Sequence, residues 1–241
     1  MKIYSKTDIG MVRTANQDAF FAESIDYETA FAVVCDGMGG ANAGNIASEN
    51  AVKSISGYIE RSYNGTFGTE SIEKMLKNAI VSANIELYDM AVSNPLLSGM
   101  GTTVVLAFVK GETAVIAHAG DSRIYLVNDG IKQLTRDHSV VQSLIESGKI
   151  TPDDAKVHPK KNVITRAVGA EENIAVDTAV LKIGEDDTLL LCTDGLTNYL
   201  DDADILNSVK TVRPSEIPEA LVDMANKNGG GDNITVVVLT R

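Results

Sequence analysis

The sequence contains only two cysteines, Cys35 and Cys192. A pair so far apart along the chain supports neither a disulfide framework nor a metal site with CxxC spacing. Both cysteines stand inside apolar stretches, which predicts buried, reduced thiols. We therefore expect a protein of a reducing compartment, the cytoplasm.

We also expect neither a membrane-spanning nor a targeting segment in this sequence. No stretch approaches the roughly 18 apolar residues of a membrane span. The N-terminal "MKIYSKTDIGM" has no apolar core of signal-peptide length. The sequence shows no internal repeat, low-complexity tract or Pro/Ser-rich linker, and 241 residues fit one large domain. We therefore expect a single domain over residues 1–241.

Positive charge is scarce, because 21 Lys and Arg residues against 33 Asp and Glu give a formal net charge of −12. This balance argues against DNA, RNA or anionic membranes as main partners. A solvated acidic surface is the commonest cause of such a charge, but carboxylates gathered around cations produce it too. The apolar content of 44% is enough for a sizeable core.

Hydrophobic periodicity predicts an α+β fold, because helices come in pairs between runs of strands rather than alternating with them. Short links between the strands of residues 102–134 predict antiparallel hairpins. The predicted strands are 19–23, 30–35, 102–109, 113–118, 123–127, 131–134, 174–181, 189–192 and 234–239. The predicted helices are 42–61, 71–93, 140–147, 202–209 and 215–228, with a short one starting at Thr151-Pro152.

Acidic residues recur next to glycine at the predicted strand ends. The stretch "AFAVVCDGMGG" carries an apolar run into Asp36-Gly37, "LLLCTDGL" carries another into Asp194, and "GGGDNITVVVL" reverses the order around Asp232. Asp121 stands between two apolar runs in "VIAHAGDSRIYLV". One Asp-Gly pair predicts only a tight turn, which is our interpretation of Asp129-Gly130. Four such acids point to a shared site.

The glycines do not make a nucleotide site. Gly39 and Gly44 have P-loop spacing, but Asn45 and Ile46 stand where the lysine and the hydroxyl residue are needed. The dinucleotide fingerprint fails because Asn42 replaces its third glycine.

Four carboxylates brought together repel one another unless cations lie between them. Oxygen ligands select hard ions such as Mg²⁺, Mn²⁺ or Ca²⁺. Zinc is disfavoured because His118, His138 and His158 lack ligand spacing.

Covalent phosphatase or esterase chemistry has no support in the sequence. A cysteine phosphatase needs an arginine six residues after its cysteine, and this chain has Ala41 and Asn198 there. No G-x-S-x-G elbow is present. Hydrolysis by a metal-activated water remains.

Seven motifs in chain order resemble the metal-dependent type-2C (PPM) protein serine/threonine phosphatases, in their compact bacterial form. The resemblance spans nearly the whole chain and is specific because the motifs occur together. They are "RTANQD", "DGMGG", "GTT", "GDSR", "HPKKNVITRAVG", "TDGL" and "GGDNITVVV".

The resemblance implies a four-layer α-β-β-α sandwich with two Mn²⁺ or Mg²⁺ ions at one end. It implies that Asp36 bridges both ions, that Asp194 and Asp232 complete one of them, and that the Gly37 carbonyl serves the other. A third ion is implied at Asp121, shared with Asp194.

The resemblance further implies that water activated by this centre attacks phosphoserine or phosphothreonine in line. Arg13 is expected to grip the phosphate and Asp18 to orient the water. Met38 stands where some eukaryotic relatives carry a histidine suggested as the general acid. The proton donor for the leaving oxygen is therefore open between a metal-bound water and His158, which is equally well explained as a loop histidine.

Residues 137–169 lie between predicted strands, and the resemblance marks them as a flap that influences substrate choice. The implied partners are phosphoproteins and an opposing serine/threonine kinase, with the protein a monomer. Three alternatives are weighed: a partner-switching regulatory phosphatase of the same fold, a metal-free pseudophosphatase acting as a binding module, and a calcium-binding protein. Intact acids argue against the second, and the missing EF-hand pattern argues against the third.

Overall fold

The computed structural model describes residues 1–39 and 43–241. In these ranges the strands are β1 (Lys2–Asp8), β2 (Asp18–Ser24), β3 (Thr29–Met38), β4 (Gly101–Thr102), β5 (Val104–Lys110), β6 (Thr113–Ala119), β7 (Arg123–Val127), β8 (Ile131–Gln133), β9 (Asp177–Lys182), β10 (Thr188–Cys192) and β11 (Ile234–Thr240). The helices are α1 (Ala43–Ser62), α2 (Thr69–Ser93), α3 (Val140–Glu146), α4 (Pro152–Lys156), α5 (Asp194–Thr197), α6 (Asp202–Thr211) and α7 (Ile217–Lys227), with 3₁₀ turns at Pro95–Leu97 and Pro214–Glu216.

The strands form two sheets whose pairs are all antiparallel. One sheet has the order β1-β11-β10-β7-β8, and the other has the order β2-β3-β5-β6-β9, with β4 added beside β3. An apolar core fills the space between the sheets, a second core joins one sheet to α1 and α2, and a third joins the other sheet to α5, α6 and α7. The α-β-β-α sandwich implied by the motifs is confirmed.

The strand β3 shows why the central strands are continuous apolar runs. Phe31, Val33 and Cys35 pack toward the helices, while Ala32 and Val34 face the opposite sheet. Both faces are buried, so the sequence lacks the alternation of a half-exposed strand. This burial carries the strand straight to Asp36.

The predicted hairpin between β6 and β7 is wrong. β6 pairs with β5 and β9, whereas β7 pairs with β8 and β10 in the other sheet. The link at Gly120, which has φ +114°, therefore crosses from one sheet to the other. The link is short enough for a hairpin, so its length does not reveal the crossing. The largely apolar sequences of β6 and β7 also give no sign of which sheet each strand joins.

Other element boundaries differ in smaller ways. β1 was not anticipated, because as an edge strand it keeps exposed polar positions. The strand predicted at 102–109 is interrupted at Thr103, the one predicted at 174–181 begins at Asp177, and α5 was missed. The predicted first residue of α1, Asn42, lies outside the described residues.

Local signals fixed several ends correctly. Asn94 stops α2, and Thr151 caps α4 through a reciprocal capping box with Asp154. Both cysteines are free and buried, as predicted. Within residues 1–39 and 43–241, no helix combines the length and apolar character needed to cross a bilayer.

Candidate metal centre

Asp18 and Asp36 lie opposite each other at one end of the sandwich. Asp18 is the first residue of β2, and its register partner on β3 is Asp36. Both residues are only partly exposed, which for neighbouring acids without a nearby cation is unfavourable. The strand pairing therefore builds the first half of an acidic site.

Two threonine hydroxyls hold Asp18. Thr193 and Thr235 donate to its Oδ2 at 2.9 and 2.7 Å. Its Oδ1 is buried and has no hydrogen-bond partner in the part of the chain that the structure describes. Burial, assisted by the charges of Asp194 and Asp232, raises the pKa of Asp18 to about 7. The free oxygen is thus available for a ligand.

The backbone around Asp36 is fixed by the following strand. Its N–H donates to Thr103 Oγ1 at 3.0 Å, and its carbonyl accepts from the Thr103 N–H at 2.9 Å and the Thr102 hydroxyl at 2.8 Å. Burial raises the pKa of Asp36 well above its usual range, and the charges of Asp18 and Asp194 raise it further.

Gly37 is a glycine because α1 packs directly against it. A Cβ at this position would lie 2.0 Å from the carbonyl oxygen of Gly44. The N–H of Gly37 donates to the Gln17 carbonyl at 3.0 Å. The absence of a side chain therefore lets the start of α1 pack over the acidic end of β3.

Asp194 begins α5, immediately after β10. The next residue, Gly195, approaches the Asn233 carbonyl so closely that a Cβ would lie 1.9 Å from it. Asp194 Oδ2 accepts from Asn198 at 3.0 Å, while Oδ1 is buried and unpartnered among the described residues. Burial, with the charge of Asp232 next, raises the pKa of Asp194.

Arg13 forms an ion pair with Asp232, with 2.8 Å between Nη2 and Oδ2. The arginine side chain is half exposed, so its guanidinium lies at the mouth of the site. Asn233 holds the loop that carries Arg13: it donates to the Ala15 carbonyl at 2.9 Å and accepts from the Gln17 N–H at 2.8 Å. Asn233 belongs to the motif "GGDNITVVV", but the sequence alone gives no sign that it holds this loop.

Asp121 lies at the crossing between the sheets. Burial, with the charges of Asp194 and Asp137 next, raises its pKa to about 8. The charge of Arg123 and a hydrogen bond from its own backbone amide offset this only in part. The structure thus places Asp121 near enough for its charge to act on Asp36 and for that of Asp194 to act on it. Among the described residues, however, no three of the predicted acids bring their carboxylate oxygens within 4.8 Å of one another.

This arrangement fits hard divalent cations. The ligands on offer are oxygens, two of them are buried without partners, and the pKa values of four of the carboxyl groups are raised. A cation among them lowers those pKa values and supplies the missing partners. The roles of the individual residues remain predictions.

A separate cluster has metal-like spacing. Ligand atoms of His118, His138 and Asp177 lie within 4.8 Å of one another. However, Nη1 of Arg166 is 2.7 Å from Asp177 Oδ1 and 3.0 Å from His138 Nε2. The guanidinium occupies the place of a cation, so we assign this cluster a structural role. His158, elsewhere in the flap, accepts the Lys160 N–H at 3.1 Å, as a loop histidine does.

Comparisons with known sequences agree on one family. The profile of the family described as Protein phosphatase 2C matches residues 12–226. The chain is 41% identical to the serine/threonine phosphatase stp of Listeria innocua, covering 98% of this chain and 94% of that protein. It is 35% identical to the protein phosphatase PhpP of Streptococcus pneumoniae, covering 100% and 97%.

Solved structures give the same result. The serine/threonine phosphatase Stp1 from Staphylococcus aureus superposes with a TM-score of 0.93 at 35% identity, covering 100% of this chain and 94% of that one. The serine/threonine phosphatase PstP/Ppp of Mycobacterium tuberculosis superposes with a TM-score of 0.90 at 31% identity, covering 100% and 99%.

Proposed function

This chain belongs to the protein phosphatase 2C family and is a protein serine/threonine phosphatase, and we propose that the carboxylate cluster around Asp36 is its active site. The observation that carries the proposal is the pairing of Asp18 with Asp36, whose pKa values are raised by burial and further by the charges of nearby acids. One oxygen each of Asp18 and Asp194 is buried without a hydrogen-bond partner among the described residues.

The family is metal-dependent, and the oxygen atoms at this site are the kind of ligand that hard divalent cations prefer. We propose that Asp36, Asp194 and Asp232, together with the Gly37 carbonyl, would hold two ions, with Mn²⁺ or Mg²⁺ as the metal. Asp121 and Asp194 would share a third. Such ions lower the pKa of water and neutralise the charge that develops on a phosphoryl group.

Arg13 is proposed to bind the substrate phosphate. Its planar guanidinium suits two phosphate oxygens at once, and its half-exposed position leaves it accessible from solvent. The ion pair with Asp232 holds the guanidinium at the site in the absence of substrate.

Asp18 is proposed to orient the attacking water. Thr193 and Thr235 fix one carboxylate oxygen, which leaves Oδ1 to accept a hydrogen bond from water. An oriented water close to a bound phosphorus loses little entropy on reaching the transition state. No residue of the chain is assigned as a covalent nucleophile.

The biological setting is proposed more broadly. Phosphoproteins are the substrates, and a serine/threonine protein kinase is the functional opponent. The buried, free cysteines support a cytoplasmic protein. We propose a monomer of a single domain, whose flap at 137–169 contributes to substrate choice.

Two experiments test these roles. The purified chain should release phosphate from phosphoserine and phosphothreonine peptides and from p-nitrophenyl phosphate when Mn²⁺ is present. The second experiment repeats the assay on Asp36→Asn, which should lose turnover. Asp129→Asn, in the turn between β7 and β8, is its matched control and should keep it. A protein that binds phosphopeptides without turnover in both Mn²⁺ and Mg²⁺ would instead act as a pseudophosphatase. Turnover restricted to one phosphorylated regulatory partner, with none on peptides, would indicate a partner-switching phosphatase.

A further inference from the structure

His138 is a buried histidine at the start of the flap that the proposed reaction does not use. Its side chain is 1% exposed. It stacks parallel to His118, with 4.9 Å between the ring centroids. Its backbone and both ring nitrogens contact three segments that are distant in sequence, so it lies where these segments meet.

One of these contacts is a reciprocal pair with Gly120. The Gly120 N–H donates to Nδ1 of His138 at 3.1 Å, and the His138 N–H donates to the Gly120 carbonyl at 2.9 Å. His138 therefore forms hydrogen bonds with both the backbone N–H and the backbone carbonyl of Gly120. Gly120 directly precedes Asp121, the proposed ligand of the third ion.

The contact with Gly120 determines the tautomer of the ring. Because Nδ1 accepts from Gly120, the proton of the neutral ring is on Nε2, which lies 3.1 Å from Asp177 Oδ2. Nη1 of Arg166 lies 2.7 Å from the second oxygen of that carboxylate and 3.0 Å from Nε2. Because a guanidinium only donates, we assign the Arg166 hydrogen bond to the carboxylate and the Nε2 proton to Asp177. The ring is thus fixed from the side opposite Gly120 and cannot rotate without losing both contacts.

The Gly120 turn is crowded on its other side by Thr103. A Cβ at Gly120 would lie 2.6 Å from Cβ of Thr103. The Thr103 hydroxyl lies 2.7 Å from that of Ser122, just beyond Asp121, and accepts the Asp36 N–H. The residues on both sides of Asp121 are therefore anchored, one by His138 and one through Thr103 to Asp36.

His138 also joins the two ends of the flap. Its carbonyl accepts the Thr165 N–H at 2.7 Å, and the next residue, Ser139, forms a β-bridge with Ile164. The conformation of the flap base and the conformation of the Gly120 turn therefore depend on the same residue.

We propose that His138 is a positioning residue that, through Gly120, sets the Asp121 carboxylate and couples the base of the flap to the third-ion site. This inference rests on the proposed role of Asp121 as a metal ligand. Loss of the Nδ1 acceptor leaves the buried Gly120 N–H without a partner, so the turn relaxes and Asp121 moves away from the position in which it shares an ion with Asp194.

Three variants of the full chain separate this role from simple packing. His138→Leu removes the acceptor and keeps an apolar side chain of similar size. His138→Asn places an acceptor at the δ position of the former Nδ1, whereas His138→Gln moves its acceptor one bond further out. Thr151→Ala, which breaks the α4 capping box within the flap, controls for flap destabilisation that does not reach Gly120.

Two readouts are measured: the Mn²⁺ concentration for half-maximal phosphopeptide hydrolysis, and Mn²⁺ binding itself, followed by electron paramagnetic resonance of the free ion. We expect His138→Leu to raise the Mn²⁺ requirement about threefold to tenfold and to weaken only the loosest binding step. His138→Asn should restore most of the wild-type values and His138→Gln should not. Thr151→Ala should leave both readouts unchanged.

The Asp121→Ala background provides the decisive comparison. There, His138→Leu should add no further change to either readout, because both substitutions act on the same ion. The proposal is overturned if His138→Leu shifts the readouts in the Asp121→Ala background as much as it does in the wild type. It is also overturned if His138→Leu alone titrates like the wild type. Should His138→Leu fail to fold, equal behaviour of His138→Asn and His138→Gln overturns it. An unchanged titration for Asp121→Ala itself instead contradicts the third-ion assignment on which the proposal rests.

Discussion

Asp18 and Asp36 are direct cross-strand partners on β2 and β3. Like charges placed opposite each other destabilise a sheet, and burial increases the cost. Each of the two has a raised pKa, caused first by burial. The sandwich therefore carries, at one end, an electrostatic strain that divalent cations relieve.

The first prediction concerns Asp36→Asn. We expect loss of at least about a hundredfold in phosphatase activity, because the proposed bridging ligand loses its charge. In chelator the variant should melt at or above the wild-type temperature, since a carboxyl group desolvated among other acids is gone, whereas in Mn²⁺ it should melt below wild type. The measurements are turnover and thermal melts beside Asp129→Asn. Near wild-type turnover would contradict the assignment.

The second prediction concerns Arg13→Ala. Loss of a charge-assisted contact to phosphate costs on the order of 1.5–3 kcal/mol, which is about ten- to a hundredfold in kcat/KM. Metal affinity should not fall, because the guanidinium competes with cations for Asp232. Arg13→Lys, which keeps the charge but not the planar fork, should recover only part of the loss. Steady-state kinetics measure the loss in kcat/KM, and a calorimetric Mn²⁺ titration measures metal affinity. Unchanged kinetics would contradict a role for Arg13 in phosphate binding.

The third prediction concerns Asp121→Ala. If Asp121 is a ligand, the variant keeps the fold and the tighter metal sites, loses most activity on phosphopeptides and needs more Mn²⁺ than wild type. If Asp121 only caps its turn, the variant loses roughly 1 kcal/mol of stability and its Mn²⁺ titration is unshifted. A titration of activity beside a thermal melt distinguishes the two results.

The fourth prediction concerns pH in the absence of metal. Asp18 and Asp121 have folded-state pKa values of about 7 and 8, above the ordinary value of 3.8, so the folded chain binds their protons more tightly than the unfolded chain does. Their contribution to stability is fully present below the ordinary value and is lost as the pH rises through about 7 to 8.

Thermal melts in chelator should therefore show lower stability at pH 8 than at pH 5.5. The decline should be shallower in Asp18→Asn, whose amide oxygen still accepts from Thr193 and Thr235. A pH dependence identical to wild type in this variant would show that Asp18 is charged in the folded, metal-free protein.

Much of the fold could be predicted from the sequence, because its signals are local. Apolar periodicity placed α2, and Asn94-Pro95 marked its end. Runs such as 30–35 and 234–239 identified buried strands, although β1 was missed because its half-exposed residues lack that signal. Strand pairing across the sandwich had no local signal, so the crossing at Gly120 was predicted as a hairpin.

The candidate site was predictable as a set of acids but not as a geometry. The glycines beside Asp36 and Asp194 marked the close backbone approaches that the structure shows at Gly37 and Gly195. The contacts of Arg13 with Asp232 and of His138 with Gly120 join residues far apart in sequence. A single sequence contains no spacing rule for such pairs.

Metal removal tests the central claim most directly. The protein is stripped with EDTA, its metal content is checked by elemental analysis, and phosphate release from a phosphoserine peptide is measured before and after Mn²⁺ or Mg²⁺ is added. The carboxylate site around Asp36 predicts no turnover in the stripped protein and saturable recovery with either ion. Full turnover by protein shown to be metal-free would contradict it.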